Sequence, residues 1–600
     1  MIRPVPATKS RPARSGVRAG QIVALQAAAA AVIASLGRGP VLIAAAAVVA
    51  IVLLVPAWVR LRRRWLYQWI GVGLRYLGRR HTLPPNAAPT ALLELIAPNT
   101  RLATAEVAGE DAAVLTGEYG VTALLELGDG GALFGDLGRA LPNPAALLPP
   151  ATVEAPQVRL QLLVDAAPAP AVRAGAGTPG TSYRQLTEGR MLSRRQAILA
   201  VRVLRGEQWT EEDLRRSLSS AVRKARRRLA GLSARTLGEA ATLRVLAELA
   251  HHDEAQAARE AWQAIHLGGL LQASFRLRSW PDLRAETAAN LIPRLLALPA
   301  AGTTVSLSVG PRPIEGDTYP VDLTVRLAAT DMAGLTAAAQ TLDRLVSGER
   351  ATVRRLDGEQ LAGLAATLPL GGDEAPTPPG VNRKLPPVPA GLTDLAIPEP
   401  AAGLMLGRNR RGEPVTLRMF RPEATRALFV GGVRGAQLVV LRAIALGARV
   451  VVQTGRPQAW ERFVRGASAP GEAILLVPPG RPIAAAPGTS LQPLLVVVDI
   501  GPVGVDPNAA PGWQATLIVR DELSPVDLDA LTRSDVVILQ PLRPDEASLV
   551  GAALGIGDSA QYLPRIRQDM VGVIHRRTLR WALLTPTPIE LQLVGPPARG

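Results

Sequence analysis

The sequence predicts a membrane-anchored α/β protein. It has an N-terminal two-helix transmembrane hairpin, a mixed α/β cytosolic domain and a second α/β domain towards the C-terminus. Three observations lead there. Residues 21–36 and 41–59 are almost wholly apolar. Through the middle of the chain, the alternation of half-buried strands is interleaved with amphipathic helical stripes. Beyond a Pro/Gly-rich stretch, short runs of Val, Ile and Leu alternate with helical segments, which is how a mainly parallel sheet reads. Six hundred residues are also too many for one core.

Composition narrows the chemistry. There is no cysteine, so disulfides, Cys-ligated zinc, iron–sulfur clusters and Cys nucleophiles are excluded. The net charge of +17 asks for an anionic partner. Mean hydropathy is nonetheless positive, at +0.17, so the apolar residues must be concentrated. They are concentrated near the N-terminus.

A basic arm comes first, residues 1–18, with Arg3, Lys9, Arg11, Arg14 and Arg18. A spanning helix needs roughly 17–25 apolar residues. Residues 41–59 qualify, and the first run does so as 19–36, with Ala19 and Gly20 included. A signal peptide cleaved around Ala34-Ser35 is the rival, but a second apolar run follows at once, as in a helical hairpin. Arg60, Arg62, Arg63 and Arg64 follow the second span, while the turn between the spans carries only Arg38. The positive-inside rule then puts both ends in the cytosol. Residues 60–80 read as an interfacial amphipathic helix. Trp65, Trp69, Val72 and Tyr76 share one helical face among arginines that suit anionic lipid. The alternative is the first core helix of the soluble part.

Residues 81–370 form the first cytosolic domain. Its short strands and turns lead to Ala167–Ser182, APAPAVRAGAGTPGTS, whose composition reads as a flexible loop. Thr210 and Asp213 form a capping box, and Leu214, Leu218, Ala225 and Leu229 make the apolar stripe of the helix that follows. Arg215, Arg216, Arg223, Lys224, Arg226, Arg227 and Arg228 occupy its other faces. Anionic lipid or an acidic protein face explains such a helix more simply than nucleic acid does. HHDE, His251–Glu254, invites a metal reading, but adjacent histidines on a helix point about 100° apart and no i, i+4 pair exists. A Pro/Gly-rich linker, 371–394, leads to the last domain, 395–600.

That domain contains LFVGGVRGAQ, an apolar strand running through glycines into a helix. A phosphate-binding loop has this outline but requires G-x-x-x-x-G-K-[ST]. Its Lys reaches the outer phosphates and its Ser/Thr holds Mg²⁺. Gly431, Gly432 and Gly435 are present, while Ala436 and Gln437 stand where Lys and Ser/Thr belong. Downstream, LLVVVDIG ends an apolar strand in Asp499, with Ile500 after it. As a strand-end carboxylate, Asp499 would ligate Mg²⁺ only beside bound phosphates. No serine lies in a G-x-S-x-G elbow.

Two resemblances follow. The basic arm, the paired spans, RRRWLYQWIGVGLRYLGRR, VRVLRGEQWTEEDLRRSLSSAVRKARRRL and TTVSLSVGP make roughly residues 1–350 resemble EccE, a membrane subunit of the type VII (ESX) secretion system of actinobacteria. The resemblance implies a subunit without catalytic residues in the bacterial inner (cytoplasmic) membrane, two-pass, beside EccB, EccC and EccD. Residues 395–600 resemble the RecA-like P-loop domains of FtsK-type translocases, the class of EccC. GLMLGRNRRGEPV leads into the loop, LLVVVDIG takes the Walker B place, and SDVVILQPLRPDEASLVGAALG follows. Ile500 takes the place of their catalytic Glu. With the Lys and the hydroxyl also missing, the loop reads as degenerate, because phosphoryl transfer depends on neutralising and positioning charge. The expectation is therefore a non-catalytic structural subunit with no cofactor and no metal. Its rival is a nucleotide-dependent motor or regulatory ATPase of the same complex.

Overall fold

The computed structural model describes residues 19–599, apart from 38, 62–63, 129–131, 135–139, 173, 175–176, 230, 314–317, 373–387, 390, 394, 396, 399–400, 468–473 and 502–511. The basic arm, Arg38, Arg62, Arg63 and most of the linker 371–394 thus lie outside the described residues. The chain divides into two compact units, Met1–Arg80 and His81–Gly600.

In the first unit, helices Ala19–Ser35 and Pro40–Trp58 are joined through Gly39, whose φ of 96° favours glycine. Gln21 ties the helices by donating Nε2 to the carbonyl of Ala57 at 2.8 Å. Their apolar side chains are largely exposed; Val41 keeps 80% of its surface accessible. Among the described residues, Pro40–Trp58 alone is long and apolar enough to cross a membrane; the 17-residue helix before it is shorter.

The segment 60–80 is not one helix. Arg60–Leu61 pairs antiparallel with Arg64–Trp65, and the helix begins only at Leu66 and ends at Leu77. Stacking of the Arg60 guanidinium 3.9 Å over the Trp65 ring favours the tight reversal over another helical turn. Val72 is the buried residue of this helix.

The second unit carries two large sheets. Among the described residues the first has thirteen strands, all paired antiparallel. It is built twice over. Arg101–Val107, Glu110–Gly117, Gly120–Leu127, Val158–Pro168 and Leu192–Leu204 are followed by helix Glu211–Arg228, strand Ala234–Thr236 and helix Glu239–Ala250. Ala258–Glu260, Ile265–Leu267, Leu270–Ser279, Gly302–Val309 and Val321–Ala329 are followed by helix Met332–Gly348, strand Thr352–Arg355 and helix Gln360–Ala366. Corresponding strands pair in the same order, and the two copies meet where Val158–Pro168 pairs with Gly302–Val309. A pseudo-twofold axis therefore passes between these two strands. Helix Glu211–Arg228 is capped as its sequence predicts, with Thr210 accepting from Asp213 N and Asp213 reaching back to Thr210 N. Leu214, Leu218, Val222 and Ala225 are its buried stripe.

The expected loop 167–182 is irregular through its described middle but regular at both ends. Strand Val158–Pro168 runs into it, and helix Thr178–Thr187 begins inside it. Pro179 suits the first turn of this helix, and Tyr183, 1% exposed, anchors its far face. The Tyr183 hydroxyl donates to Gly403 O at 3.2 Å and accepts from Met405 N at 2.9 Å. A helix supplied before residue 190 thus packs into the core of the second sheet with Phe429, Ala436 and Leu441.

That second sheet has ten strands among the described residues. Six are parallel, in the order Val536–Leu539, Thr425–Val430, Gln514–Arg520, Leu494–Asp499, Arg449–Thr454 and Leu475–Val477. Met570–His575, Thr578–Leu583, Leu404–Arg408 and Pro414–Leu417 extend it antiparallel from the Val536–Leu539 edge. The inner parallel strands are largely buried runs of Val, Ile and Leu, as helices covering both faces require, while the edge strand Leu475–Val477 leaves Leu475 exposed. Arg442, 1% exposed, is fully partnered there: Glu590 accepts both Nε and Nη2, at 2.8 and 2.9 Å, and Leu406 O and Leu584 O accept the rest.

Candidate functional site

In a parallel sheet, ligands bind beyond the carboxyl ends of the strands. Gly431, Asp499, Asp521 and Gln540 each stand at such an end, following or closing Thr425–Val430, Leu494–Asp499, Gln514–Arg520 and Val536–Leu539. The structure therefore brings the two sequence-predicted features, the glycine loop and Asp499, to one edge.

Strand Thr425–Val430 passes through Gly431 and Gly432 into helix Val433–Ala445, with Gly432 as its N-cap. Each glycine is required by closeness. A Cβ on Gly431 would lie 2.2 Å from Gln540 Oε1, one on Gly432 would lie 2.7 Å from Ala598 O, and one on Gly435 would lie 2.5 Å from Phe429 Cζ. In a phosphate loop such N–H groups face the ligand. Here Gly432 N donates to Gln540 Oε1 at 2.8 Å, while Gln540 Nε2 donates to Pro597 O. The C-terminal segment is pinned over the loop by Arg599, which donates to Asp521 O at 3.0 Å, Pro541 O at 2.8 Å and Glu546 Oε1 at 2.5 Å. The cradle holds the protein's own amide and tail.

Ala436 is fully buried in the core, and Gln437 donates to Ala459 O at 2.9 Å, which fastens the helix to its neighbour Pro457–Ala467. Neither side chain offers a cation or a hydroxyl at the loop. Ile500 packs against a small cluster of Val451, Val477 and Val498.

Asp499 is 5% exposed and saturated with donors. Its Oδ2 accepts from Trp460 Nε1 at 2.8 Å, Arg456 Nε at 2.9 Å and Thr454 Oγ1 at 3.0 Å, and its Oδ1 accepts from Arg456 Nη2 at 2.8 Å. Arg456 also grips Asp521, with Nη1 2.5 Å from Oδ2. The two carboxylates, Asp521 first, hold the Arg456 guanidinium even further from deprotonation than usual. A guanidinium thus stands where an acidic strand end would otherwise meet a metal. Sequence reasoning missed Arg456, Gln540 and Arg599. Their spacing from the loop follows no motif, and only the fold gathers them.

HHDE is not a helical constellation. The helix ends at Ala250, and His251 is its left-handed C-cap, with φ 54°. His252 Nε2 lies 2.8 Å from Ala87 O, and His251 turns to a buried charge network in the first sheet. Asp165, wholly buried, accepts from Thr304 Oγ1 at 2.7 Å and pairs with Arg194. Burial pushes its carboxyl up, but the Arg194 guanidinium, with the Thr304 hydrogen bond and Arg326 behind it, holds it below its usual range. Arg326 donates to Gln272 Oε1 at 2.7 Å and Thr304 Oγ1 at 3.0 Å, and burial lowers it to about 10. Burial likewise takes His251 down to about 3, so the ring is neutral.

No family model matches the chain, and no curated protein matches it. Solved structures that resemble part of it include the DNA-packaging ATPase B204 from Sulfolobus turreted icosahedral virus, at 7% identity and a TM-score of 0.18 over 26% of this chain and 96% of that one. The genome packaging NTPase B204 from Sulfolobus turreted icosahedral virus 2, in complex with AMPPCP, matches at 9% identity and 0.19 over 27% and 98%. Likenesses this weak carry no functional argument.

Proposed function

We propose that the chain is a non-catalytic structural subunit of an inner-membrane type VII (ESX) secretion complex. In this reading the helices Ala19–Ser35 and Pro40–Trp58 anchor it as a two-pass hairpin with both ends cytosolic. The second unit braces EccB-, EccC- and EccD-like neighbours from the cytosolic side, over anionic lipid and without nucleic acid. The last third of the chain, 395–600, is a degenerate P-loop domain kept for its surface.

One observation supports the non-catalytic part above all. At the loop, the N–H that would meet phosphate is bonded to Gln540, and the carboxylate that would meet Mg²⁺ is bonded to Arg456. Phosphoryl transfer needs both positions open to ligand. The assignment to the secretion complex rests on the sequence resemblance of residues 1–350. Affinity capture of the full chain from native membranes tests it. EccB, EccC and EccD homologues should copurify, and their absence would refute the assignment. Nucleotide binding by the same preparation tests the rest: saturable Mg-ATP binding that disappears in Asp499→Asn would move the protein to the motor or regulatory class.

A further inference from the structure

The duplicated sheet has two equivalent outer edges, and they are treated differently. In the second repeat, the outer strand Ala258–Glu260 is covered by Thr82–Leu83. In the first, the outer strand Arg101–Val107 ends the sheet, with no strand beyond it among the described residues. Seven residues long, it has no proline, no bulge in its pairing and no lysine; its charges, Arg101 and Glu106, stand towards its two ends and leave Leu102–Ala105 between them uncharged.

The direction of its free groups follows from the hairpin. Val107 and Glu110 close a two-residue turn in which Ala108 and Gly109 both have positive φ, 58° and 88°. Ala113 N donates to Leu237 O, away from this strand. In an antiparallel ladder, bonded and non-bonded pairs alternate. Arg101, Ala103, Ala105 and Val107 therefore bond inward to Glu110–Gly117, and Leu102, Thr104 and Glu106 direct their N–H and C=O groups outward. Ala103, Thr104 and Glu106 are exposed.

We propose that this edge pairs antiparallel with the same strand of a second copy, about a twofold axis through Thr104. That register is self-complementary. Thr104 meets Thr104, and Leu102 meets Glu106 on both sides of the axis, so every outward donor finds an acceptor. Side chains permit it as well, because Ala103 faces Ala105 and no like charges stand opposite: Arg101 meets Val107, and Glu106 meets Leu102. A twofold contact of one patch with itself closes on a dimer. The sheet continues from one copy into the next, as it already continues from one repeat into the other.

The Cys-free chain makes the test direct. Full-length Thr104→Cys, oxidised mildly in membranes, should run as a disulfide-linked dimer, since bonded antiparallel pairs hold Cα atoms about 5.5 Å apart, within disulfide reach. Arg259→Cys, on the covered edge, should not. In detergent, Thr104→Lys should halve the particle mass measured by light scattering while leaving circular dichroism unchanged. The proposal fails if Thr104→Cys crosslinks no better than Arg259→Cys, if it crosslinks to a different polypeptide, or if Thr104→Lys leaves the mass as it was.

Discussion

At the residue scale, a few side chains decide what the carboxyl edge of the second sheet can do. Gln540 bridges Gly432 N and Pro597 O, so Gln540→Ala should strand one half-buried and one buried group and cost about 1–3 kcal/mol. Urea unfolding should show that loss with no gain of nucleotide binding; an ATP-dependent rise in stability would mean the amide had been shielding a working site. His251 gives a pH signature. Its folded pKa, about 3, lies below the ordinary 6.5, so between those values the unfolded chain holds the extra proton. The stability it contributes is complete above about pH 6.5 and is lost as pH falls towards 3, with a slope of at most about 1.4 kcal/mol per pH unit. His251→Asn, which tolerates the left-handed backbone, should flatten that limb. An unchanged acid limb would show that other groups carry it. The sequence displayed Gly431, Gly432, Gly435 and Asp499, but not what fills them. Arg456, Gln540 and Arg599 come from three different connections, and nothing in local spacing marks them as neighbours.

At the element scale, period and composition found most strands and helices and failed where tertiary packing overrode composition. Helix Glu211–Arg228 announced itself by its capping box and stripe, both local. Helix Thr178–Thr187 did not, because Pro, Gly and Thr are poor helix formers and its stability comes from a groove in a sheet more than two hundred residues away. Tyr183 is the anchor. Tyr183→Ala should cost about 3–5 kcal/mol by analogy with other buried aromatic truncations, read as a lowered melting temperature of the full chain. Tyr183→Phe should cost about 1–3 kcal/mol, for the unpaired Met405 N–H. If both are silent, the helix is an ornament on the second sheet. Arg60–Trp65 was misread for a related reason. A four-residue period describes side chains, and a stacked Arg60–Trp65 pair can reverse the backbone beneath it.

At the scale of the whole molecule, the mixed α/β class and the parallel character of the second sheet were legible, because buried runs of Val, Ile and Leu need helices on both faces. The duplication was not, since a repeat of strand order survives with little repeat of residues. The proposed two-pass topology is open to direct measurement. Cysteines placed at positions 10 and 85 should be shielded from an impermeant thiol reagent in intact cells, and one at Arg38 should be labelled. Labelling at 10 with protection at 38 would reverse the orientation. The docked helix has a last consequence, one of timing. The second sheet's core needs residues 178–187, and its loop is closed by Pro597–Arg599, which lie about four hundred residues further along the chain and are made correspondingly later. The ribosome therefore releases the first sheet well before the second can consolidate. For that interval the Tyr183 helix waits undocked, and a chaperone that shields it would do more for yield than one acting on the finished protein.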